Sequence, residues 1–353
     1  MTTTFHFESE TNQPMQASYN FAAVWNEALL QRDEPEPKPR QFIRASELGS
    51  ARVDIFLKMK GEKPSNPPNA RSLRKFEAGH IWEWIASLIL HRAGILEEQQ
   101  TEVRHRYPGL LEVVGHPDFV CNGCPKVEFA ELEVNALPLP EVFLRSGRAI
   151  VKHMIAVRDS TIVRDVESRR VIEFKSCSAF MFDARERKQC ASMNHRLQLY
   201  HYLKGLGLPY GEIVYVCKDD CRMMEFVVQC PSSLEESYKS EIVALTDAMV
   251  HDMRPPMEKE IVFDADIGKF AANWKVAYSQ FLTKLYGFKD QAAFDDKNKP
   301  VVARWNRVLG RMARKDKMTP KNQSAIAEMR AAGFDPDELV IAFAGEGEEN
   351  EES

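Results

Sequence analysis

The sequence predicts an α/β fold, a sheet flanked by helices with further α-helical structure after it, and three observations predict it. From residue 70 the hydrophobic pattern runs helix, antiparallel strands, helix, strand pair. No glycine-rich loop follows any strand, which argues against a P-loop nucleotide fold. One short strand, Arg170-Val171-Ile172-Glu173-Phe174-Lys175-Ser176, sets an acid and an amine among β-branched and aromatic residues.

Taken in order, residues 1–40 are polar and end in the proline-charged stretch Asp33 to Pro39, which disfavours helix; they read as a partly ordered N-terminal arm. Ser46 to about Met59 reads as helix, broken by Gly61 to Pro68. Leu73, Phe76, His80, Trp84, Ile85, Leu88 and Ile89 recur at helical spacing, predicting a long, largely buried helix over Ser72 to Arg92. Strands follow at Glu102–Tyr107, Leu110–Gly115 and Asp118–Val120, with a Pro108-Gly109 turn. Residues 121–165 read as an insertion, with a helix around Arg148 to Val157. After the Glu173 strand come a helix from Lys188 to Lys204, strands at Glu212–Cys217 and Arg222–Val228, and a helix from Ser233 to Met253. The division expected is an arm (1–40), a core (41–253) carrying the insertion, a helical region (254–340) and an acidic tail (341–353), the tail expected to be disordered.

The chain's 353 residues, 44% of them hydrophobic, suffice for a substantial core. The longest apolar run, Ile81 to Leu90, is interrupted by Glu83 and too short to span a membrane. The start, MTTTFHFESE, lacks the basic end and apolar centre of a secretory signal. Seven cysteines, an odd number, do not suggest a disulfide framework, so a cytoplasmic, reducing setting is expected. The net charge of −5 is matched by the five glutamates of Glu346 to Ser353. Elsewhere bases concentrate locally: ten Lys/Arg against three acids from Lys38 to Lys75, and nine against one from Lys297 to Lys321. Such patches suit phosphate more than the net charge suggests.

Alternation puts Glu173 and Lys175 on one face of their strand. In isolation that is most simply a solvent-facing ion pair on an edge strand. Gly115-His116-Pro117-Asp118, leading into another apolar strand, adds a second acid. Together they match the needs of phosphodiester hydrolysis. A hard cation such as Mg²⁺ or Mn²⁺ wants oxygen ligands, which Asp118, Glu173 and the Phe174 carbonyl would supply. Lys175 would orient the attacking water and offset developing charge. His80 on the preceding helix would complete a metal site, or be a satisfied core histidine. Gln198 and Tyr202, at i and i+4 on the next helix, would hold the lysine, a phosphate or a DNA backbone, or simply flank a helix.

His80, Gly115-x-Pro-Asp118, Glu173-x-Lys175 and Gln198-x-x-x-Tyr202 together resemble the RecB-like branch of the PD-(D/E)xK nuclease superfamily, over roughly residues 40–230. The resemblance implies a mixed central sheet flanked by helices, the restriction-endonuclease-like core, and divalent-metal-dependent cleavage of DNA, often from an end. It implies that His80, Asp118 and Glu173 are metal ligands, that Lys175 is the catalytic lysine, and that Gln198 and Tyr202 match the motif of DNA-end-processing members. A DNA exonuclease of recombination, repair or phage-type processing, in a bacterial or phage-infected cell, is the leading reading. A structure-specific endonuclease or junction resolvase, and a non-catalytic DNA-binding subunit, are the alternatives.

Many relatives carry a four-cysteine iron–sulfur cluster whose first cysteine lies near the domain start. Here Ser50-Ala51 stand there and the first cysteine is Cys121, so no cluster is expected. Cys121, Cys124, Cys217 and Cys221 form an irregular zinc pattern and read better as free thiols. Arg71, Arg74 and Lys75 precede His80 on its helix and suit phosphate contacts. Arg304, Arg307, Arg311 and Arg314 form a row that is either a solvated face or a DNA track. His116 is a minor candidate DNA contact, while His195 and His201 read as helix-surface residues. The acidic tail is a solubility device, a DNA mimic or a hook for a protein partner.

Overall fold

In a computed structural model, the described residues are 21–31, 36–92, 94–123, 169–264 and 268–344. The expected insertion helix near Arg148 and the acidic glutamates from Glu346 lie outside them.

The fold is mixed α/β. A helix within the expected arm (α1, Phe21–Leu30) is followed by β1 (Phe42–Arg44), a 3₁₀ turn at Ala45–Glu47, α2 (Arg52–Met59) and α3 (Ala70–Arg92). Then come β2 (Leu96–Gln99), β3 (Val103–His105), β4 (Glu112–Gly115), β5 (Phe119–Cys121) and β6 (Arg170–Cys177). A helix not expected from the sequence, α4 (Ala179–Lys188), ends at Gln189 in the left-handed region at φ 47°, and the helix expected from Lys188 to Lys204 begins later, as α5 (Met193–Leu206). β7 (Tyr210–Cys217), β8 (Met223–Gln229) and α6 (Ser232–Val250) complete the core.

The main sheet is five-stranded, ordered β2-β5-β6-β7-β8, with β6 and β7 parallel and the other neighbours antiparallel. A second sheet is ordered β1-β4-β3. Between β6 and β7 the rising connection is α4 and α5, the helical crossover a parallel pair requires. Alternation divides the sheet's two faces. Val171, Ile213 and Tyr215 join Leu199 and Leu203 of α5 in one core. Ile172 and Val214 join Ala86 and Leu90 of α3 in the other. Each fully buried leucine contributes on the order of 1.5–3 kcal/mol of apolar burial.

The long helix is shorter on contacts than its periodicity suggests. Among the described side chains of α3 only Ala86 and Leu90 are buried, while Phe76, Ile81 and Trp84 are 56%, 56% and 45% exposed. The C-terminal turns lie on the sheet, whereas the N-terminal turns pass the ends of the strands.

The region after 254 is not purely helical. A hairpin, β9 (Ile261–Asp264) and β10 (Lys269–Ala272), precedes α7 (Trp274–Ala277), α8 (Leu282–Tyr286), α9 (Gln291–Ala313), α10 (Pro320–Ala331) and α11 (Pro336–Ala344). Phe270 of the hairpin packs edge-on against Trp305 and Phe334, each at 5.0 Å between ring centroids, within a separate apolar cluster. Asp54 of α2 fastens this region to the core by accepting from Ser279 Oγ (2.9 Å) and the Gln280 amide (3.2 Å).

Candidate active site

The site forms where β5 and β6 part. Their ladder ends at Phe119 opposite Ile172, and beyond it the chain before Phe119 turns away toward β4 in the other sheet. The departing segment is Gly115-His116-Pro117-Asp118. A Cβ at Gly115 would lie 2.5 Å from Ala45 Cβ and 2.8 Å from Tyr202 Cε1, so only glycine admits this approach. With no backbone ladder left, Asp118 completes the pairing through its side chain. Its Oδ2 accepts from the Phe174 amide at 2.8 Å, and its own amide donates to Glu173 Oε2 at 3.3 Å.

Glu173 is wholly buried and Asp118 is 7% exposed. Glu173 Oε1 accepts from Lys175 Nζ at 2.5 Å and from Gln198 Nε2 at 2.7 Å. Lys175 Nζ also lies 3.9 Å from Asp118 Oδ2. Burial, reinforced by the Asp118 charge and opposed by Lys175, pushes the Glu173 carboxyl up to about 7. Burial works against the Lys175 charge too, but the attraction of Glu173 and Asp118 outweighs it and raises the amine.

Gln198 and Tyr202 sit behind these acids rather than at the surface. Both are buried. Gln198 Nε2 donates to the Tyr202 hydroxyl (3.0 Å), which donates to the His116 carbonyl (3.0 Å). The pair thus ties Glu173 to the Gly115–Asp118 crossing.

A third carboxylate, unassigned by sequence reasoning, belongs to the cluster. Burial raises the Glu83 carboxyl, and the Asp118 charge adds to the shift while His80 and Lys175 oppose it. The available signal was its interruption of an apolar run. His80, the expected ligand, instead has a side chain 72% exposed, with Nδ1 3.4 Å from Glu83 Oε2. It stands at the rim. Among the described residues, no three His, Cys, Asp or Glu side chains are arranged to hold a metal ion.

The basic residues divide. Arg71 and Lys75 are exposed on α3, whereas the Arg74 guanidinium bonds the Asn26 side chain of α1. On α9, Arg304 is paired with Glu328, Arg307 is exposed and Arg311 is half-buried; Arg314, just past its end, is paired with Asp316. Cys121 and Cys217 are buried and Cys221 is exposed; Cys124 lies outside the described residues. Two histidines depart from their surface assignment. His201 is fully buried between the Tyr238 hydroxyl (3.0 Å) and the Val103 carbonyl (3.1 Å). His195 is half-buried with Nδ1 2.7 Å from the Tyr215 hydroxyl.

No helix among the described residues is long and apolar enough to cross a membrane. No family model and no curated protein sequence matches the chain. Among solved structures it is similar to that of SSO0001, with 12% identity, 76% of this chain and 96% of that chain covered, and a TM-score of 0.42. It is also similar to LHK-Exo in complex with dAMP, at 12% identity, 65% and 94% coverage and a TM-score of 0.36. A further structure, the alkaline exonuclease LHK-Exo from Laribacter hongkongensis, gives 9% identity, 65% and 94% coverage and a TM-score of 0.32.

Proposed function

We propose that this protein is a divalent-metal-dependent DNA exonuclease serving recombination, repair or phage-type DNA processing. The observation that carries the reading is Glu173: a wholly buried carboxylate beside Asp118, with Lys175 Nζ at 2.5 Å. Burying like charges together is costly unless a cation compensates. Asp118 and Glu173 share the Lys175 amine, at 3.9 and 2.5 Å, Glu83 adds its charge nearby, and the oxygen donors suit a hard cation. The residues therefore fit Mg²⁺ or Mn²⁺, held by Asp118, Glu173 and the Phe174 carbonyl, with Glu83 and His80 at the open side. When bound, such an ion acidifies water and neutralises phosphate oxygens.

Lys175 orients the attacking water and stabilises charge on the phosphoryl oxygens as the new P–O bond forms and the leaving oxygen departs. Gln198 and Tyr202 keep Glu173 and Asp118 in register. Arg71 and Lys75 on α3, and Arg307 and Arg311 on α9, are the DNA-contacting bases of this reading. The test is a time course on end-labelled linear and covalently closed circular DNA, with and without Mg²⁺ or Mn²⁺. Metal-dependent loss of linear DNA alone is expected. Equal cleavage of closed circles overturns the exonuclease assignment, and no cleavage of either overturns the nuclease.

A further inference from the structure

On the side of Lys175 away from Asp118, three elements converge on a space rich in donors. Lys175 stands in register with Tyr215 across the parallel β6–β7 pair, so both side chains leave the same face. The Tyr215 hydroxyl accepts from the Ser192 amide (3.1 Å) and meets His195 Nδ1 (2.7 Å) at the start of α5. His195 precedes Gln198 by three residues, so it lies one turn along the helix flank that contacts Glu173. Among the described residues, its Nε2 makes no hydrogen bond.

Arg185 closes the group from α4. It follows buried Phe182 by three residues, on the inward side of that helix, and its charge acts on His195, Tyr215 and Cys177. Its Nε is buried without an acceptor, and no described carboxylate pairs with it. The acids of its own helix, Asp183 and Glu186, are taken by Arg222 at 2.7 and 3.5 Å. The first turn of α5 adds to this excess. It contains no acid, and the N-cap residue Ser192 makes no capping bond because its Oγ faces Tyr215 (3.2 Å). A helix N-terminus without a side-chain cap, a guanidinium with no carboxylate partner among the described residues and an imidazole with an unbonded Nε2 are the components of an anion site.

We propose that the first turn of α5, Arg185 and His195 form a phosphate subsite beside Lys175, which takes a non-scissile phosphate of the bound nucleic-acid strand. This rests on the nuclease reading and deepens it. Burial and the charges of Lys175 and Arg185 push His195 down to about 3, so it serves as a neutral donor, not a second cation. A phosphate selects the tautomer with the proton on Nε2, since Tyr215 can donate to Nδ1 at the same time. Arg185 supplies the charge and His195 the direction.

The test measures anisotropy of labelled single-stranded oligonucleotides, with and without a 5′-phosphate, across a salt series without divalent metal. Arg185→Gln is expected to weaken binding roughly tenfold and to reduce the salt slope by about one phosphate contact. Arg185→Lys keeps the slope, and His195→Gln weakens binding several-fold without changing it. A loss confined to 5′-phosphorylated strands identifies a terminal phosphate; an equal loss on both identifies an internal one. Circular dichroism checks folding, and Arg185→Lys keeps the test decisive if Arg185→Gln misfolds: a slope lost despite the retained charge overturns the subsite. Wild-type affinity and slope in Arg185→Gln also overturn it, leaving the nuclease standing if the wild type cleaves DNA. A wild type that neither binds nor cleaves nucleic acid removes both.

Discussion

Asp54 and Asp118 are both buried aspartates, 6% and 7% exposed, and they differ in company. Asp54 spends both oxygens on neutral donors from one segment, Ser279 Oγ and the Gln280 amide. Asp118 also accepts a backbone amide, but it faces Glu173, Glu83 and Lys175. The first acid is satisfied by the fold. The second stands in a group whose negative charge the fold does not balance, and the proposed cation site rests on that imbalance. Burial alone does not separate the two acids; the neighbouring charges do.

The two acids separate most sharply when the unbalanced group is substituted. Asp118→Asn keeps an acceptor for the Phe174 amide while removing a charge, and Lys175→Met removes the stabilising amine. Each is expected to lower cleavage by on the order of 10²- to 10³-fold, the scale of losing one preorganised charge-stabilising group. Asp118→Asn should leave the melting temperature unchanged or raised, because it relieves repulsion with Glu173. Full activity in either variant defeats the proposed site. Gln198→Ala is expected to cost less, roughly 10- to 100-fold in activity or metal requirement, because it acts through Glu173. Added metal should recover part of that loss, which simple unfolding would not permit.

The pH dependence follows from the same crowding. The Glu173 carboxyl is raised from 4.5 to about 7 by burial and Asp118. Metal must displace its proton, so the apparent affinity for Mg²⁺ or Mn²⁺ should fall about tenfold per unit as pH drops below that value. Above it the affinity should level off. In the metal-free protein the folded form holds this proton more tightly than the unfolded chain. Its contribution to stability is therefore present at acid pH and declines as pH rises between 4.5 and about 7. A metal requirement identical at pH 6 and pH 8 contradicts the assignment.

Much of this site was legible because strand alternation is rigid. An acid and an amine two residues apart on an apolar strand must share a face, and Asp118 preceding another apolar strand gave the second acid. Helices were less informative. His80 and Glu83 are one turn apart, and helical spacing does not say which of them approaches Asp118; packing of α3 decided for Glu83. Gln198 and Tyr202 were recognisable as a pair, but their burial depends on how α5 lies on the sheet. The four-residue strands β9 and β10 are too short for alternation to emerge, and β1 pairs with β4 across a long intervening sequence. Such non-local pairings leave little local signature.

The smallest expected effect is the most discriminating. Asp54→Ala leaves Ser279 Oγ and the Gln280 amide without their acceptor, costing about 1–3 kcal/mol of stability. It should lower the urea midpoint while leaving kcat at wild-type level well below the melting temperature, because Asp54 bonds the segment after α7 and none of the groups around Glu173. Paired with Asp118→Asn, it gives a crossed result: one aspartate removes stability without rate, the other rate without stability. If Asp54→Ala lowered kcat in fully folded protein, the separation drawn between the two buried acids would fail, and the region after residue 254 would have to contribute to catalysis.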